Sequence, residues 1–188
     1  MTGAVIASED PQPTYDNRAA VLRSEMRAIL DALGRGDERA ARARAAGFAL
    51  PQPRAWMDLT FGPAGERLTA DYAPLAAQLP QMVDALKPLL GAGPIDVSVE
   101  RFTEADDAAA TGYQIAALAA MTRPVPLYSV RLSSGGEATR TVYHVWSFVD
   151  VDGQFRWIGK LRPLVGAPPG PGLDPLELRV RDRSRAPK

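Results

Sequence analysis

The chain has 188 residues, 46% hydrophobic and 23% charged, a balance that suits one folded domain and excludes an intrinsically disordered chain. Lys plus Arg and Asp plus Glu each number 22, so the formal net charge is zero and the basic excess of a nucleic-acid binder is missing. No Cys is present, which excludes disulfides, thiolate catalysis and cysteine zinc sites, and a single His leaves any transition-metal site to carboxylates.

Residues 1–16 are small and polar and contain Pro11 and Pro13. They read as a loose leader, with neither the basic start nor the apolar run of a signal peptide. No stretch approaches the roughly 20 apolar residues that span a bilayer, so a soluble, cytoplasmic protein without membrane contact is expected. From Asn17 a helix is predicted. Val21, Leu22, Met26, Ile29, Leu30 and Leu33 form its apolar stripe, with Arg18, Arg23 and Arg27 among the polar positions. Gly34 and Gly36 stop it, and Asp37 caps a short second helix over 38–46.

Trp56-Met57-Asp58-Leu59-Thr60-Phe61 is expected as a short strand before a Gly-Pro turn. A long helix should follow from about Asp71. Tyr72, Leu75, Leu79, Met82, Val83, Leu86 and Leu90 make its stripe, Pro74 lies in its first turn, and Pro80 and Pro88 kink or shorten it. Ile95, Val97 and Val99 alternate with polar residues and predict a strand. Residues 108–121 fit helix by their Ala and Leu, and strand by Tyr113 and Ile115. Residues 127–132 and 139–151 predict two further strands around a Gly-Gly turn. Asp152-Gly153 then signals a tight hairpin into 155–161. Residues 163–188 open with Pro-Leu-Val-Gly-Ala-Pro-Pro-Gly and end in spaced arginines, the composition of a linker and a solvated basic tail.

A two-residue loop at Asp152-Gly153 fixes a register in which Val151 pairs with Gln154, Asp150 with Phe155, Phe148 with Trp157, Trp146 with Gly159 and His144 with Leu161. Opposed residues share a face. One face then carries Val142, His144, Trp146, Phe148, Phe155, Trp157 and Leu161, and is expected to form the main core. The other carries Tyr143, Val145, Val149, Val151 and Ile158 among Arg156 and Lys160, a mixture suited to a homodimer interface on the outer face of the sheet.

The element order resembles the NTF2-like superfamily, which includes SnoaL-type cyclases. Two stretches carry the likeness: residues 28–37, a first helix ending in a Gly-Asp turn, and residues 151–160, an Asp-Gly turn before an aromatic last strand. The resemblance spans 17–161 and implies an α+β domain over 17–162, with N-terminal helices packed on a curved, mostly antiparallel sheet shaped as a cone. It also implies that 108–121 is a strand.

The expected function is a small-molecule binding module, or a dimeric interaction module, rather than an enzyme. The ligand would be small and apolar or amphipathic. Tyr113, Tyr128, His144, Trp146, Phe148 and Trp157 are the candidate pocket residues. One alternative is a cofactor-independent lyase, isomerase or hydrolase using His144 as general acid or base beside Tyr113, Tyr128 or Asp58. Another is a structural partner protein tethered by its arginine-rich tail. No cofactor is expected. Nor is a metal, because Phe155 and Trp157 stand where a calcium loop beginning at Asp150 would need oxygen ligands.

Overall fold

The computed structural model describes residues 15–106, 110, 112–135, 141–160 and 176–180. Asp107, Arg140, Leu161, the expected linker at 163–175 and the arginines of 181–188 lie outside the described residues, as does nearly all of the expected leader. The chain is α+β, with helices packed against a mainly antiparallel sheet.

Helix α1, Tyr15–Gly34, buries Leu22, Met26, Ile29, Leu30 and Leu33 along the expected stripe. It ends in a Schellman motif. The Asp37 N–H donates to the Ala32 carbonyl at 2.9 Å and the Gly36 N–H to that of Leu33 at 2.9 Å, with Gly36 at φ 77. The Asp37 carboxylate then accepts from the Ala40 N–H at 2.9 Å and starts α2, Glu38–Ala46.

The segment expected as a strand at 56–61 is instead helix α3, Pro53–Phe61. Pro53 suits the first turn, and the buried residues Met57, Thr60 and Phe61 have helical spacing. Helix α4, Gly65–Ala76, begins six residues before the expected start, so Pro74 falls near its end rather than in its first turn. The long helix is divided: a 3-10 turn at Leu79–Gln81, seeded by Pro80, separates α4 from α5, Met82–Leu90. The buried positions Tyr72, Leu75, Leu79, Met82, Val83 and Leu86 keep the expected stripe, and Leu89 rather than Leu90 completes it. Across α2 and α5, Arg42 meets Asp84 at 2.7 Å and Lys87 meets Glu38 at 2.8 Å, an exposed network of modest strength.

The Tyr72 hydroxyl accepts the Leu50 N–H at 2.8 Å inside the helical layer, and burial raises its pKa. Tyr72→Phe removes that acceptor and strands a buried N–H. We expect a loss of about 1–3 kcal/mol in urea denaturation, and an unchanged midpoint would refute the assignment.

Strands β1 (Ile95–Phe102), β2 (Leu127–Ser134), β3 (Thr141–Val151) and β4 (Gln154–Trp157) follow one another across the sheet. Strand β5, Leu176–Val180, lies within the expected tail yet pairs with β3 at 141–145, below β4 on the same edge. Asp152 and Gly153 have φ 52 and 78, the type I′ geometry, and Val151–Gln154, Asp150–Phe155 and Phe148–Trp157 pair as the sequence predicts.

Beyond Phe148 the predicted register fails. Tyr128 pairs with Phe148 but Val130 pairs with Val145, so two residues of β2 span three of β3. The extra residue is a β-bulge at Ser147, buried at φ 54. It reverses the faces of everything before it. Tyr143 and Val145 join Phe148, Phe155 and Trp157 in the core under the helices, whereas Val142, His144 and Trp146 turn to the opposite face. Gly159, expected beside Trp146, lies against the Trp157 ring.

That opposite face carries α6, Gly112–Ala120, which replaces the strand the family resemblance implies. Four alanines and Leu118 favour helix, and Gln114 and Ala117 turn inward at i, i+3 spacing. The Gln114 side-chain amide donates to the Ser129 hydroxyl at 2.5 Å, while the Thr122 N–H donates to the Thr60 carbonyl at 2.8 Å and ties the end of α6 to α3. No helix among the described residues is long and apolar enough to cross a membrane.

Candidate functional site

The six aromatic and histidine positions expected to line one pocket are split by the Ser147 bulge. Tyr128, Phe148 and Trp157 are 3%, 0% and 2% exposed and belong to the packed core. Phe148 meets Phe48 edge to face at 5.0 Å, and Tyr128 meets Phe155 at 5.1 Å.

Tyr113, His144 and Trp146 gather on the other face. His144 stacks on Trp146 with centroids 5.1 Å apart, and the Lys160 ammonium lies 5.6 Å from the Trp146 ring and 5.8 Å from that of Tyr113. Across the strand pair, Arg131 is the in-register neighbour of His144. The acid/base pairing of His144 with Tyr128 is not formed, because the two residues occupy opposite faces. Asp58 lies on α3 with its carboxylate held by Arg54 at 2.6 Å.

A different set of residues forms a cleft. The end of α2 turns at Gly47 and brings Phe48 beside the β3–β4 hairpin, where the Trp157 N–H donates to the Phe48 carbonyl at 2.8 Å. Between this corner, α1 and β4 lies an open cavity of about 270 Å³. It is lined by Phe48 and Phe155, which are 4% and 2% exposed, and by Glu25, Arg44, Gln154 and Arg156. Arg156 is fixed by hydrogen bonds to the Gly47 carbonyl and the Gln154 side chain. At the border Arg18 pairs with Asp150 and lies over the Phe155 ring, 5.0 Å from its centroid. A second, wider groove of about 570 Å³ lies where the end of α1 meets Leu90, Ile95 and Val97, but it has no aromatic lining.

Burial pushes the Glu25 carboxyl above its ordinary value of 4.5. Arg18 and Arg156 oppose that rise without cancelling it, and Asp150 adds to it. A carboxyl whose pKa is raised in the fold contributes most to stability when protonated. That contribution is complete below 4.5 and is lost as pH rises through the folded-state value. Glu25→Gln should therefore melt above the wild type at neutral pH, with the gap closing as pH falls toward 4.5. Parallel melting curves at every pH would contradict this.

The sequence reading missed these residues, although a signal was present. Arg18, Leu22, Glu25 and Ile29 share the 4-3-4 spacing of one helical stripe, so two charges stand on the face that meets the sheet. Asp150, opposite Phe155, is the matching acid on that sheet face. Comparison with protein-family models, curated proteins and solved structures returned no match to this chain.

Proposed function

We propose that this domain is a binding module for a small molecule, seated in the cleft between the α1–α2 corner and the β3–β4 hairpin. The observation that carries this reading is the cleft itself: α1, α2 with its closing turn, and β4 bring two phenyl rings and a cluster of opposed charges to one opening. At about 270 Å³ it suits a metabolite rather than a steroid-sized guest. The enzyme reading loses Tyr128, which lies on the face opposite His144, and its Asp58 carboxylate is held by Arg54, whereas Tyr113 shares the face of His144.

The relationship to NTF2-like domains is proposed on two stretches only. The helix stop at Gly34–Asp37 and the Asp152-Gly153 hairpin favour it, whereas α3 and α6, standing where the family pattern has strands, weigh against it. A dimeric interaction module is the second reading, though not through the expected outer face, whose Tyr143, Val145, Val149 and Ile158 are fully buried. It is favoured by Tyr113 and Ile115, which α6 leaves 42% and 38% exposed, with Lys160 set near the Tyr113 and Trp146 rings.

Native mass spectrometry of the protein purified gently from its own host, followed by amide NMR with the retained compound or a metabolite extract, tests the binding reading. A reproducible added mass that moves the amides of Gly47, Phe48, Gln154 and Phe155 is expected. A clean apo mass together with unmoved cleft amides would sink it, and a doubled subunit mass would turn attention to α6.

A further inference from the structure

The charges around the cleft do not balance. Arg18 and Asp150 neutralise one another at the border. That leaves the guanidiniums of Arg44 and Arg156 against one carboxylate, Glu25, among the lining residues. Arg44 is exposed in the last turn of α2 and has no carboxylate partner among the described residues. Its place there also complements the helix dipole, but that role needs no aromatic lining beside it. Arg156 gives one N–H from each terminal nitrogen to Gly47 and Gln154. A guanidinium has two on each, so a pair of donors remains on a fork that is already immobilised.

We propose that the cleft takes a small monocarboxylate, its carboxylate held by Arg44 and Arg156 and its apolar body laid against Phe48 and Phe155, with Glu25 as the built-in competitor for the same cations. This rests on the binding reading above and adds the chemical class of the ligand. Ionised, Glu25 repels an incoming carboxylate and offsets the positive charge that would hold it. Protonated, it leaves both arginines to the ligand. The charged groups that act on Glu25 come from every neighbouring element: Arg18 on its own helix, Asp150 on β3 and Arg156 on β4, with Arg44 of α2 across the opening. Binding a second carboxylate here therefore takes up a proton, and affinity rises as pH falls until the ligand itself protonates, near pH 4–5 for an ordinary carboxylate, roughly.

The test is an amide NMR titration of the full chain with benzoate, acetate and inorganic phosphate as probes, at pH values on either side of the Glu25 transition. Benzoate should shift Gly47, Phe48, Gln154 and Arg156 saturably and bind more tightly than acetate, because only benzoate has a body to cover the rings. Its affinity should rise by about threefold or more from neutral to mildly acidic pH. Arg44→Ala, at an exposed position that leaves the fold intact, should weaken binding about tenfold or more. Glu25→Gln should bind benzoate more tightly at neutral pH and lose the pH dependence.

Equal benzoate affinity in Arg44→Ala, a pH dependence that survives Glu25→Gln, or phosphate binding more tightly than benzoate would each overturn the assignment. If a metabolite extract moves the cleft amides while all three probes leave them still, the binding module stands and the carboxylate specificity falls. If neither moves them, the binding reading fails with it.

Discussion

Gly65→Ala should cost about 3 kcal/mol or more, although replacing glycine by alanine in a helix ordinarily stabilises it. Helix α4 begins where its backbone presses on α3. A Cβ built on Gly65 would lie 2.5 Å from both the Cα and the backbone N of Asp58, and in conflict with its carboxylate as well. A side chain could rotate away, but two backbone atoms cannot, so the α3–α4 hairpin would have to open. That hairpin buries Met57, Phe61, Leu68 and Tyr72, and its loss would reach the Tyr72 hydroxyl that holds Leu50. Gly91→Ala is the matched control. Nothing lies within 4 Å of its Cβ and its backbone is right-handed at φ −85, so it should stay within about 0.5 kcal/mol of the wild type. Urea denaturation followed by tryptophan fluorescence measures both. Equal stability of the two variants would mean that the helices do not approach this closely.

The second large effect lies in the sheet and reads the Ser147 bulge directly. Phe148→Ala removes a fully buried ring packed edge to face on Phe48, and should cost about 3–5 kcal/mol. That is a large share of the roughly 5–15 kcal/mol that holds a domain together. Trp146→Ala removes the larger side chain two residues away but should cost only about 1–2 kcal/mol, because the indole is half-buried on the opposite face. In a regular strand the two positions would share one face and a comparable penalty. A tryptophan variant as damaged as the phenylalanine variant would place both rings in one core and remove the bulge.

Where a signal was local, the sequence carried it. The Gly36 and Asp37 pair encodes a helix stop and a helix start within two residues, and both form. Asp152-Gly153 sets the turn type, and the turn sets three cross-strand pairs. Segments whose state depends on neighbours were harder to read. Residues 56–61 are a short apolar run that suits strand or helix alike, and Pro53 with the 57-60-61 burial spacing decides for helix only once α4 is there to pack on. In α6 the alanines spoke for helix, and the family pattern overruled them wrongly.

The bulge left no mark that a propensity argument would catch, since serine is not a residue that announces a left-handed conformation. That one hidden residue explains why the expected pocket came apart while the closing hairpin held. The cleft was partly legible. Arg18 and Glu25 are charges on an apolar stripe, a conflict between pattern and chemistry that marks a position with work beyond packing. Its other half, Arg44 and Gly47 beside Arg156, depends on how the α2 corner meets β4, a contact far apart in sequence that no local pattern encodes.

Ser147 gives β3 the property of a message read in two frames. On one side of it the strand pairs with β4 and presents Phe148 to the core; on the other it pairs with β5 and presents Tyr143 and Val145. Deleting Val145 would act as a frameshift in space, turning His144 inward and Tyr143 outward while leaving the hairpin untouched. Removing Ser147 itself would not, because taking out the extra residue restores regular alternation with Tyr143 and Val145 still in the core. A deletion paired with a nearby insertion would restore the sense, as a second frameshift rescues a gene. The two ends of one strand can thus diverge independently, the cleft end under one set of demands and the α6 end under another.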